Sequence, residues 1–217
     1  MAEALECPTL LLNGFGEHNI QGIGDKHVPL IHNVMNTDLV VDVSDRATDQ
    51  LNLVLCSAVG RAFLRDRLRI ATETMDVLDM FGLSSLCNVI AAIKTARHYR
   101  FDEHDLVMTV ATDGGLLYRS EAPRALQKYF LSEFSAREAQ RVVEEHLLQA
   151  DTSNLLELGP QERTRIFNLG YFTWVEQRGL DLDSFTARAE PQFWQSLRGA
   201  LDRWDQLIDS LNAEVGV

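Results

Sequence analysis

The 217 residues carry 32 acidic against 20 basic side chains, a net charge of -12, with 46% hydrophobic and 24% charged residues. That balance supports one large buried core, or a core plus an appendage, and sets the surface against a phosphate-backbone partner, so no nucleic acid is expected. Two glutamates in residues 1–6, and no apolar run near the ~20 residues of a membrane helix, argue against a signal peptide or a membrane span and point to the cytoplasm.

Residues 2–7 read as a connection between elements, and the apolar run 9–13 then reads as a first strand. It opens into a glycine-punctuated loop, Gly14-Phe15-Gly16 through Gly22-Ile23-Gly24 to Pro29. Residues 39–43, Leu-Val-Val-Asp-Val, predict a second buried strand, followed by Ser44 as helix N-cap and Asp45 in the first turn of a helix reaching about residue 62. A helix over 70–81 ends at Gly82. Ser84 or Ser85 then caps a helix to about residue 98, whose Val89, Ile90, Ile93 and Ala96 recur at helical spacing. The third expected strand, residues 106–111, runs into Thr112-Asp113-Gly114-Gly115. Strand, helix, strand over these distances predicts an α/β fold, three-layered, with a mainly parallel sheet.

Beyond Tyr118 the character becomes helical, at 121–131, 136–149 and 160–177, with a stripe of Phe193, Trp194, Leu197, Leu201, Trp204 and Ile208 at three- and four-residue steps. The expected division is an α/β domain over residues 1–120 and a helical extension over 121–217. In residues 165–177 the aromatic residues Phe167, Tyr171 and Trp174, with Val175, are expected to pack on the main domain, with a homodimer contact as the alternative.

Each expected strand ends in a polar or glycine-rich loop. In open α/β sheets ligands collect at that edge, where loops and helix N-termini present backbone donors. Glycines also serve simple tight turns, but two such loops and a double-serine helix start together suggest a cleft.

Four segments in order carry a family resemblance: Asn19-Ile-Gln-Gly-Ile-Gly24 followed by Val28-Pro29, then Asp38-Leu-Val-Val-Asp-Val-Ser-Asp45, then Gly82-Leu-Ser-Ser-Leu-Cys-Asn88, then Leu106-Val-Met-Thr-Val-Ala-Thr-Asp-Gly-Gly115. Together they resemble the second half of cysteine synthase and its relatives, the fold-type II pyridoxal-phosphate enzymes built like the tryptophan-synthase β-subunit. The aromatic segment 165–177 is similar to the tail of a cysteine-synthase-like subfamily. The resemblance implies the large-domain part of that fold, pyridoxal 5'-phosphate as cofactor, a small amino acid as substrate, and β-elimination or β-replacement chemistry.

By the same resemblance, the backbone of Gly22, Ile23 and Gly24 would line the cofactor ring and substrate. Ser84 would start the helix beneath the site, or act only as an N-cap, and Gly114 would belong to the turn at the cofactor. Asp113 falls where the side chain meets the pyridine nitrogen. Serine is usual there, and a carboxylate in its place would favour a protonated ring and a stronger electron sink. The alternative is that Asp113 starts the Gly114-Gly115 turn. The cofactor-binding lysine and the phosphate loop of the family lie in its first half and have no counterpart here, so no catalytic residue is assigned. Lys94 falls late in a helix, Lys128 beyond the cleft, and Lys26 in the right loop at the wrong position. Three explanations follow: a separate N-terminal-half polypeptide completes the site, the sequence is a fragment of a longer enzyme, or it is a non-catalytic remnant or regulatory small-molecule-binding module. In each case the chain alone is expected to be inactive.

Other site chemistries find little support. Cys7, Cys56 and Cys87 lack CxxC spacing and are expected to be buried thiols. His18, His27 and His32 follow no metal-ligand spacing, so no metal is expected. Glu145-His146 reads as a solvated helix face, and no Gly-x-Ser-x-Gly elbow occurs.

Overall fold

A computed structural model describes residues 1–131 and 133–216. The chain divides into two compact units, residues 1–26 with 39–157, and residues 27–38 with 158–217. The boundary expected between 120 and 121 lies inside the first of them.

The first unit is built around Leu39–Val43, strand β2, whose five residues are all buried. Three β-branched valines suit it to a strand covered on both faces. Ala2–Ala4 pairs with it in parallel, and Leu155–Glu157 pairs in antiparallel, giving a three-stranded mixed sheet in the order β1-β2-β3. The fold is therefore α/β, but the sheet is small and mixed where a mainly parallel one was expected. Residues 2–7 include a strand, not merely a connection.

Helix α1 (Thr9–Leu12) occupies the run expected to be the first strand. The Glu3 side chain decides this. Its carboxylate accepts from Leu10 N at 2.8 Å and Leu11 N at 3.2 Å, and Asn13 closes the turn in the left-handed region at φ 57°. A short apolar run has no period of its own, so a capping carboxylate settles its conformation.

Ser44 caps α2 (Asp45–Cys56) as anticipated, its Oγ accepting from Ala47 N at 3.2 Å. The helix expected to continue to residue 62 breaks at Ser57, which caps a separate α3 (Ala58–Asp66) through Gly60 N at 3.0 Å. Gly60 permits the break, because a Cβ there would stand 2.1 Å from Val54 O. Next come α4 (Thr72–Leu78) and α5 (Leu83–Tyr99), the latter packed on β1 and β2. Helices α6 (Glu121–Phe130) and α7 (Ala136–Val143) pack against α2, and α7 continues as a π-helical turn over Glu144–Leu148. Ile20, Leu83, Cys87, Ala139 and Val142 sit at the centre of this core with no exposed surface.

Residues 106–111, expected to be the third strand, lie outside every helix and sheet. Leu106, Met108 and Val110 are 83%, 86% and 65% exposed. A strand exists only through its ladder, and among the described residues none forms one with this run, whose Val110 O accepts instead from the Asn88 side-chain amide at 3.0 Å.

The second unit is helical. A 3-10 turn, Val34–Asn36, packs on α8 (Pro160–Tyr171), which ends in a π turn over Phe172–Gln177 and is followed by α9 (Leu182–Ala187), α10 (Pro191–Ser196), a 3-10 turn over Leu197–Ala200, and α11 (Leu201–Val215). Phe167 and Phe185 meet at 4.7 Å between ring centres, with the Arg188 guanidinium over both rings. Trp174 Nε1 donates to Val28 O at 2.8 Å, and Arg163 to Thr37 O at 2.9 Å. No residue of α11 is buried. Among the described residues, no single helix is long and apolar enough to cross a membrane.

Candidate functional site

The glycine loop is tied to the start of α2. Asn19 N donates to Asp45 Oδ2 at 2.7 Å and its side-chain amide to Asp49 Oδ1 at 2.6 Å, while Ile20 is fully buried. Asp45 N in turn donates to Glu6 Oε2 at 3.0 Å. This anchoring sets the following residues into a tight turn, with Gly22 and Gly24 at φ 81° and 87°, conformations that favour glycine. His18 Nε2 donates to Gly24 O at 2.7 Å, and a Cβ at Gly24 would meet Ala4 Cβ at 2.9 Å. Gly22 has open space around it, so its backbone can be approached closely. Ile23 packs on the core.

A second cluster forms where residues 112–114 meet α5. Gly82, not a serine, is the N-cap residue. Both serines instead hold the turn: Ser84 Oγ lies 2.6 Å from Thr112 Oγ1, and Ser85 Oγ accepts from Thr112 N at 3.1 Å. Both are buried. Gly82 N donates to Asp113 O at 2.7 Å, and a Cβ at Gly82 would stand 2.6 Å from that oxygen, which explains the glycine. The Asp113 side chain is exposed and accepts from the Tyr118 hydroxyl at 3.2 Å. Gly114 caps the 3-10 turn Gly115–Tyr118. The hydrogen bonds thus gather Ser84, Asp113 and Gly114 in one place. The Gly24 carbonyl instead accepts from His18.

A third feature went unanticipated. A cavity of about 390 Å³ is lined by Asp42, Ser44, Arg46, Lys94, Arg141, Glu145, His146 and Asp151, among others. Lys94, read as merely late in its helix, is buried and donates from Nζ to Asp42 O at 2.7 Å. Burial lowers its pKa, against the pull of Asp151 and Asp42. His146 is half-buried against Gln50 Oε1 at 2.8 Å, and burial lowers its pKa too. Glu145 pairs with Arg46 at 2.9 Å and with Arg141 at 2.7 Å. The Glu145-His146 segment therefore faces a cavity, and its reading as a solvated face is corrected. Lys94 within an apolar helix and Asp42 within an apolar strand were the sequence signals for it. The mixture of ammonium, guanidinium and carboxylate groups suits a small polar or zwitterionic solute.

Of the remaining candidates, Cys56 is exposed where a buried thiol was expected, while Cys7 and Cys87 are buried, Cys87 with its pKa pushed up to about 12 by burial. His18 and His32 bind Gly24 O and Thr37 Oγ1. Lys26 is exposed, and Lys128 lies 4.9 Å from the Tyr129 ring centre.

Compared with models of known protein families, with curated proteins and with solved structures, the chain matches none.

Toward pyridoxal phosphate each cluster offers a group of its own. Asp113 offers an exposed carboxylate at a rigid turn, able to accept a further hydrogen bond, and Gly22 offers unobstructed backbone. An amine to bond the cofactor is not part of either cluster.

Proposed function

We propose that this chain is the cofactor-wall half of a cytoplasmic, fold-type II pyridoxal-phosphate enzyme of amino-acid metabolism, acting by β-elimination or β-replacement on a small amino acid and inactive by itself. The carrying observation is the apolar run 106–111, which ends at the Ser84–Thr112–Asp113 cluster, is exposed and belongs to no strand ladder. A β-branched, apolar stretch of this length is suited to the interior of a parallel sheet. Its exposure here is what a sheet completed by a further set of strands would leave behind, and a three-layer architecture follows once those strands are supplied.

When bound, the cofactor supplies the electron sink for bond breaking at the amino-acid substrate. With the cofactor bound, Asp113 would hold a proton at the ring nitrogen, because a carboxylate stabilises the charged ring in a way a hydroxyl does not. Ser84 and Thr112, 2.6 Å apart, keep the Asp113 turn on α5. Gly22, Ile23 and Gly24 would bring backbone against the ring face and exclude water from it.

The deciding experiment is expression together with the coding region immediately upstream, recording absorbance before and after borohydride. A cofactor band that becomes covalently fixed to the upstream part supports the proposal. No trapped adduct, with both parts present and folded, rejects it.

The cavity around Lys94 favours a second reading, a regulatory small-molecule-binding module. It requires a panel of small amino acids to raise the melting temperature of the chain alone, and Lys94→Met to remove the effect.

A further inference from the structure

Leu201, Trp204, Ile208, Leu211 and Val215 follow one another along α11 at alternating steps of three and four residues, and Leu197, on the 3-10 turn that leads into it, stands four residues ahead of them. That spacing is the seam of a coiled coil, kept over the two heptads of α11, and it is narrower than the stripe a helix lays on a sheet. All six side chains are between 45% and 60% exposed, so the seam is uncovered along its length. Six large apolar side chains in one exposed row exceed what scattered surface hydrophobics account for.

We propose that a second copy of the chain covers this seam, the two helices running antiparallel about a twofold axis between Asp202 and Arg203. The flanking residues favour this partner. Antiparallel pairing in that register sets Leu201 of one copy against Trp204 of the other, and Leu197 against Ile208. On one flank it brings Arg198 beside Asp205 of the second copy, and by symmetry the reverse, two opposite-charge pairs from one arrangement. On the other flank Ala200 meets Leu207, which is itself 57% exposed. A parallel pair instead sets Asp205 against Ala200, with no opposite charge, and aligns the helix dipoles unfavourably. The contact is self-complementary, as a twofold interface requires. It lies outside every residue of the cofactor reading, so either can fail without the other.

The full chain is examined by size-exclusion chromatography with light scattering at micromolar concentrations. The wild type is expected at twice its 24.5 kDa, and Ile208→Glu at 24.5 kDa with unchanged far-UV circular dichroism. Arg198→Asp weakens the dimer by about tenfold, since position 198 of each copy then sets a carboxylate against Asp205 of the other. Adding Asp205→Arg restores the affinity by recreating the pair in reverse. A wild-type chain that stays at 24.5 kDa overturns the proposal. So does a dimer that survives Ile208→Glu in full, a charge swap that fails to recover what Arg198→Asp lost, or a seam that closes only when the upstream polypeptide is co-expressed.

Discussion

Glu3 on β1 and Asp42 on β2 are register partners across the parallel pair, so two carboxylates, each no more than 2% exposed, stand side by side on one face of the sheet. Glu3 is occupied in capping α1, whereas no donor among the described residues faces the oxygens of Asp42, which bonds to the Glu3 carboxylate once it carries a proton itself. Burial, reinforced by the neighbouring Glu3 charge, lifts Asp42 to about 8, and Lys94 only partly opposes the shift.

The sign of the pH dependence follows. An acid whose folded pKa lies above its unfolded value holds its proton more tightly when folded, so its stability contribution is complete below about pH 4 and lost as pH rises to about 8. Asp42→Asn removes that loss. Urea melts are expected to show a wild type that weakens between about pH 5 and about pH 8.5 and a flatter variant, the variant ahead at the upper end by on the order of 2–4 kcal/mol.

The break between α2 and α3 depends on contact, not on propensity. Gly60→Ala forces a Cβ against Val54 O, where only 2.1 Å is open, and α3 must shift. A loss of about 1–3 kcal/mol is expected from overpacking, against about 1 kcal/mol for Ser57→Ala, which removes only the cap. Thermal melting separates the two, since each kcal/mol moves the midpoint by about 2–4 °C in a chain of this size.

Asp113→Ser tests the ring-nitrogen role. In the isolated chain its stability cost stays within about 0.5 kcal/mol, because the side chain is exposed and the Gly82 bond is to the Asp113 backbone. In the assembled enzyme the cofactor absorption and the turnover both change. Equal spectra and rates in both forms remove Asp113 from the site.

Met108→Lys tests the exposed run. With 86% of Met108 already open to solvent, chemical denaturation of the chain alone is expected to change by less than about 0.5 kcal/mol. Co-expressed with the upstream region, the same change blocks cofactor uptake, because a lysine cannot enter the interior of the completed sheet. Uptake at the wild-type level contradicts the strand assignment.

Local chemistry was legible wherever a side chain meets its own neighbours. Ser44 capping α2, the helix over 83–99 and the helical second half all follow from caps and periodicity, signals carried within one turn of chain. Ser84 and Ser85 were identified as special, yet their role as anchors of Thr112 depends on a contact 27 or 28 residues away.

What the sequence determined by itself is the start of α2 at its Ser44 cap, the helix over 83–99 and the helical character beyond residue 160, because period and capping are local. Tertiary structure alone decided the three apolar runs. Residues 39–43 found β1 and β3 and became a strand, residues 9–13 met the Glu3 carboxylate and coiled into α1, and residues 106–111 met no edge and joined no strand ladder. A strand is a property of two segments, so hydrophobicity in one of them is never enough to make it.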